Sequence, residues 1–91
     1  MTFEWDEAKQ AANIRKHGID FADVPAIFER DTITVIDDRF EYDETRYLTL
    51  GLLKSRVILV VHTESDDTIR IISARKATRY EEKTYFEQIA D

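Results

Sequence analysis

The sequence predicts an α+β fold: two N-terminal helices and one C-terminal helix packed against a four-stranded antiparallel sheet. Three observations carry that expectation. Residues 1–30 hold two stretches of helix formers with capping residues, and residues 32–72 hold four β-branched or alternating runs joined by short polar turns. A capping pattern at Thr78 then opens a last helix.

Asp6 is a good N-cap, Glu7 to Lys16 is rich in helix formers, and Gly18 stands where a left-handed residue closes a helix. Trp5, Ala8, Ala11, Ala12 and Ile14 mark the expected inner side, the alanines suggesting close packing. Lys16 and His17 fall in the last turn, where cations suit the helix dipole. A second, shorter helix follows Asp20, with Phe21, Val24, Ile27 and Phe28 at the three-and-four spacing of a buried face. Pro25 lies past its first turn, so the helix either kinks or begins near Val24. Thr32 to Ile36 reads as the first strand, and the charged stretch Asp37 to Glu44 as a surface loop. Arg46 to Gly51 alternates as the second strand, with a turn between Gly51 and Ser55. Val57 to Val61 and Ile69 to Ile72 then form a hairpin around the polar Glu64 to Asp67. Thr78 and Glu81 form a capping box, so the C-terminal helix begins at about Arg79.

With 91 residues, 43% of them hydrophobic, and only one proline and two glycines, residues 1–91 read as a single domain with a modest core. The absence of cysteine excludes disulfides, thiolate metal sites and thiol nucleophiles, and it suits a cytoplasmic protein. The longest aliphatic run, Val57 to Val61, is far short of a membrane span, and MTFEWDEAKQ is too acidic for a signal peptide. A net charge of −6 argues against a generic nucleic-acid binder. Its distribution is uneven, however. Residues 1–44 carry 5 basic and 12 acidic side chains, whereas residues 45–79 carry 7 basic and 3 acidic ones. Positive charge thus gathers on the central strands, as a local anion site would require or as solvated strand edges would show.

Metal-site spacings and glycine-rich phosphate loops are absent from the sequence, so no cofactor is expected. The side chains left for chemistry are His62, Arg70, Arg75, Lys76, Arg79 and Arg46. They suit metal-free RNA cleavage, in which a 2′-hydroxyl attacks the adjacent phosphate while cations hold the developing charge. His62 is the candidate general acid or base; equally, a histidine at a hairpin end can be structural. Turn length decides which face these residues share. A three-residue loop, Ser65 to Asp67, puts His62 opposite Arg70, whereas a two- or four-residue loop is expected to set His62 against Ile69 and Arg70 against Val61. Arg75 and Lys76 point to opposite sides of any strand that reaches them.

Phe3-Glu4-Trp5-Asp6, Asn13 to Ile19 with Phe21, Arg46 with Leu50-Gly51, Val60 to Glu64, and Arg70 to Thr78, in that order, resemble the BrnT toxins nearly end to end. The resemblance implies a RelE-like fold and a ribonuclease toxin of a type II toxin-antitoxin system that inhibits translation without a metal. It also implies neutralisation by a BrnA-like ribbon-helix-helix antitoxin, through which alone DNA would be bound, and no membrane association. On that reading His62, Arg70, Arg75 and Lys76 are catalytic, and Arg46 and Arg79 bind RNA. The acidity and Pro25 depart from the family pattern. They point to the alternative, a relative that keeps its antitoxin and co-repressor role without the activity.

Overall fold

Two tight turns set the sheet. Lys54 (φ 59°) and Asp66 (φ 56°) each adopt the left-handed conformation that closes two-residue hairpins, and the strands flanking them zip into long ladders. The computed structural model describes residues 1–39 and 43–89. In chain order they form β1 (Thr2–Glu4), α1 (Glu7–His17), a 3-10 helix (Phe21–Glu29), β2 (Ile33–Ile36), β3 (Tyr47–Leu53), β4 (Arg56–Ser65), β5 (Thr68–Lys76) and α2 (Arg79–Ile89). The sheet order is β1-β5-β4-β3-β2. Neighbours run antiparallel except β1 and β5, which are parallel.

The sheet is therefore five-stranded and mixed, not four-stranded and antiparallel. The strand missing from the sequence reading is β1, whose three residues carry one large apolar side chain and whose partner lies more than sixty residues away. No local pattern announces such a strand. Its pairing aligns Phe3 with Ile69 and Glu4 with Arg70, and the Met1 ammonium reaches Asp67 Oδ2 at 3.0 Å.

The second expected α-helix is a 3-10 helix that runs straight through Pro25. Phe21, Val24 and Ile27 are spaced by three, so at three residues per turn they stack on one line, and all three are fully buried. Tight i to i+3 bonding is visible at both ends, where the Asp23 amide donates to Asp20 O and the Arg30 amide to Ile27 O.

α1 begins and ends as expected. Asp6 Oδ1 accepts from the Lys9 amide at 3.0 Å, and Gly18 (φ 70°) donates to Ile14 O. Its inner side differs from the expected one: Ala8, Ala11 and Ala12 are exposed, Ile14 is 43% exposed, and the buried residue is Asn13. The Asn13 amide donates to Ile19 O and Ala74 O, both at 2.9 Å, and its carbonyl accepts from the Ala74 amide at 3.1 Å. Gln10, one turn earlier, links the Trp5 indole to Asp20. Polar side chains thus tie this helix to β5, and a reading by hydrophobic pattern selects the wrong face.

Of the expected loop 37–44, residues 40–42 lie outside the described residues, and the others are in neither helix nor strand. Two apolar clusters fill the two faces of the sheet. Ile58, Val60, Ile69, Ile71 and Ala74 meet the 3-10 helix and Ile19 on one face. On the other, Leu50, Val57 and Leu59 meet Tyr85 of α2, whose hydroxyl donates to Asp31 O at 2.9 Å. α2 meets that second face through Tyr85, with Ile89 packed against the same cluster.

Candidate functional site

Alternation along β4 places Ile58, Val60 and His62 on the face covered by the 3-10 helix, and Val57, Leu59, Val61 and Thr63 on the opposite one. Across the ladder Thr63 pairs with Arg70, and Arg70 pairs with Glu4. Tyr47 pairs with His62, so one further residue of the same register sets Arg46 beside Thr63. Arg46, just before β3, Thr63, Arg70 and Glu4 therefore form a row at this end of the sheet, in which Glu4 and Arg70 are exposed and Thr63 is buried. Arg70 is exposed and, among the described residues, makes no hydrogen bond or ion pair. Arg46 is half-buried, and its carbonyl accepts from the amide of Asp37, a buried carboxylate gripped by both the Nε and Nη2 of Arg39. A register shift between Val61 and His62 adds one residue, Ile72, to β5 beside this row.

His62 does not join the row. The turn has two residues, Asp66 and Asp67, but closing Ser65 against Thr68 sets His62 opposite Ile71 and Thr63 opposite Arg70, not His62 against Ile69 and Arg70 against Val61 as expected for that length. Its side chain is 1% exposed, stacked on Tyr47 (centroids 5.7 Å apart) and edge-on to Phe28 (5.3 Å). Nε2 lies 2.7 Å from Thr49 Oγ1, which lies 2.8 Å from Thr34 Oγ1, while Nδ1 has no partner in hydrogen-bonding geometry. Burial holds its pKa below the ordinary imidazole value, only partly offset by the charge of Glu64 and the Thr63 backbone. This geometry suits a neutral core histidine.

Arg75, Lys76 and Arg79 lie at the other end of β5. At about 3.3 Å per residue, Arg75 and Lys76 are roughly 15–20 Å along the strand from Arg70. Arg75 pairs with Leu59 and Lys76 with Ile58, so the two project to opposite faces. The Arg75 guanidinium is already engaged. It donates to both carboxylate oxygens of Glu81, at 2.9 and 3.0 Å, and to Lys76 O at 3.1 Å. Glu81 Oε1 also accepts from the Thr78 amide, and Thr78 Oγ1 from the Glu81 amide, which completes the expected capping box. The Arg75 fork holds the Glu81 carboxyl below the usual glutamate range. Arg75 is thereby the clasp that seats the start of α2 on the sheet. Arg79 and Lys76 are exposed beside it.

Two shallow depressions meet at Glu4 and Arg70. One, about 340 Å³, is walled by Glu4, Trp5, Asp6 and Arg70. The other, about 260 Å³, includes Glu44, Thr63, Ser65 and Thr68 as well. Glu4 and Thr63 were not among the residues singled out by chemistry. Their traces in the sequence are the Phe3-to-Asp6 motif, which contains Glu4, and the Val60-to-Glu64 motif, which contains Thr63. Among the described residues no three histidine or carboxylate side chains gather as a metal-binding group, and no helix is long and apolar enough to cross a membrane.

A search of curated proteins gave no match. The family model described as the ribonuclease toxin, BrnT, of type II toxin-antitoxin systems matches residues 5–81. That span takes in Trp5 and Asp6, the 3-10 helix, both hairpins, the Arg46–Thr63–Arg70 row and the Arg75–Glu81 clasp. The chain belongs to the BrnT family of ribonuclease toxins.

Proposed function

We propose that this toxin cleaves RNA without a metal cofactor at one end of its sheet, where Arg70 and Arg46 bind the scissile phosphodiester. The observation that carries this reading is the exposed Arg70 guanidinium, which has no hydrogen-bond or ion-pair partner among the described residues and stands next to Thr63 and Glu4 in the ladder. Arginine offers a planar fork of donors matched to phosphate oxygens and stays charged throughout the reaction. The 2′-hydroxyl attacks the adjacent phosphorus, the P–O5′ bond breaks, and the products carry a 2′,3′-cyclic phosphate and a 5′-hydroxyl. The arginines stabilise the charge that develops on the phosphoryl oxygens. The exposed Lys76 and Arg79, at the far end of β5 and the start of α2, offer further cations to the RNA backbone, while Arg75 stays held by Glu81. His62 contributes by holding Tyr47, Phe28 and the strand tip in place. Inhibition of translation in the cytoplasm follows if the RNA is messenger, and neutralisation is assigned to a BrnA-like ribbon-helix-helix antitoxin that blocks this end of the sheet.

One observation favours a second reading. Glu4, Glu44 and Asp66 rim the depression around Arg70, and this acidity suits a relative that binds its antitoxin with little activity of its own. Partner-free protein incubated with RNA, with and without ribosomes and with and without EDTA, decides between them. Equal cleavage in EDTA, yielding cyclic phosphate ends, is the expected result. Loss on chelation refutes the metal-free reaction, and no cleavage under any condition establishes the second reading.

A further inference from the structure

We infer that Glu4 is the proton acceptor of this site, taking the proton from the attacking 2′-hydroxyl while Arg70 beside it holds the phosphate; this rests on the RNA-cleavage reading above. The cleavage needs a base, and His62, the side chain best suited by type, is buried on the other face. His17 is exposed in the last turn of α1 and lines neither depression. Of the carboxylates that line the depressions at Arg70, namely Glu4, Asp6, Glu44 and Asp66, Glu4 is the one paired with Arg70 in the ladder.

The surrounding structure fixes where Glu4 points. Phe3 packs into the core with Phe28 and aligns with Ile69, so the next residue of the strand faces the opposite side. Asp6 then caps α1, and the Trp5 indole donates to Gln10 at 3.0 Å, which pins the chain immediately after Glu4. The carboxylate itself is exposed and has no hydrogen-bond or ion-pair partner among the described residues, Arg70 included. A structural ion pair would have closed that gap. Instead both side chains stand apart and wall the two depressions together, leaving room for a group between them.

In the step itself Glu4 removes the 2′-hydroxyl proton, the O2′–P bond forms, the P–O5′ bond breaks, and the departing O5′ takes a proton from solvent. The site is sufficiently acidic that Glu4 also repels the phosphate it acts on. Removing the charge should therefore help binding and stop chemistry, a combination that a merely structural residue does not produce.

The test compares wild type, Glu4→Gln, Glu4→Asp and Arg70→Ala in three measurements: melting temperature, cleavage rate on an RNA oligonucleotide, and binding of the same oligonucleotide with 2′-deoxyribose throughout. Glu4→Gln is expected to melt like wild type, to bind the deoxy analogue as tightly or a few-fold more tightly, and to cleave about a hundredfold more slowly. Glu4→Asp recovers part of the rate, and Arg70→Ala loses binding. If Glu4→Gln cleaves within threefold of wild type, Glu4 is not the base while the RNA-cleavage reading stands. If wild type binds but never cleaves, with or without ribosomes, both readings fall.

Discussion

Replacing His62 with alanine distinguishes a core histidine from a catalytic one. The ring is 1% exposed, and the substitution removes its stack on Tyr47, its edge contact with Phe28 and its hydrogen bond with Thr49. Each aromatic contact is worth about 0.5–1.5 kcal/mol beyond burial, and the hydrogen bond a net 0.5–1.5 kcal/mol or so. Partial collapse of Tyr47 and Phe28 into the space offsets some of that loss, because both are only half-buried. The expected cost is about 2–4 kcal/mol. For a domain of this size it lowers the melting temperature by on the order of 10–25 °C. Cleavage per folded molecule, measured well below the transition, should stay within about threefold of wild type. The same residue makes stability depend on pH. Because burial lowers its pKa in the native state, the unfolded chain binds the proton first, so stability is complete above about pH 6.5 and falls as the solution is acidified below it. The slope attributable to this one group is at most about 1.4 kcal/mol per pH unit, and His62→Phe should remove it. A variant that melts like wild type but cleaves a hundredfold more slowly would refute the placement of His62 in the core.

Four further substitutions probe the scaffold. Asn13→Ala removes three hydrogen bonds and leaves Ala74 and Ile19 backbone groups without partners, so urea unfolding should show a loss of about 2–4 kcal/mol, whereas Ile14→Ala costs under about 1 kcal/mol; the reverse order would contradict the polar seam under α1. Gly51→Ala drives a Cβ into Ile27 Cγ2 with Thr32 Cγ2 also close, an overpacking expected to cost about 1–3 kcal/mol by thermal melting; a neutral effect would show that the 3-10 helix yields easily. Glu81→Gln loosens the Arg75 fork and weakens the capping box. Since the carboxyl's pKa is lowered in the native state, its contribution is present above the ordinary glutamate range and is lost on acidification through the lowered value, so the variant should show a smaller acid dependence in a pH series of melting curves. An unchanged acid dependence would mean that Arg75 does not hold Glu81 in solution.

How far the sequence alone reaches follows from the range of the interactions involved. Asp6, Gly18 and the Thr78–Glu81 pair act within four residues of themselves, so the limits of α1 and the start of α2 could be read directly. The strand-forming runs from Ile33 to Ile72 were legible for the same reason, as was the burial of Phe21, Val24 and Ile27, although their spacing by three fits the tighter helix better than the α-helix expected. The family could be recognised because its motifs are spread along the whole chain. What the tertiary structure decided was pairing. β1 exists only because β5 offers a free edge to Phe3, and Asn13 is buried only because Ala74 and Ile19 present backbone groups to it. The two-residue turn at Asp66–Asp67 put Thr63, not His62, beside Arg70. Alternation along β4 carries His62 with Ile58 and Val60 to the covered face, and the turn, by fixing the register, decides that Thr63 rather than His62 shares the other face with Arg70.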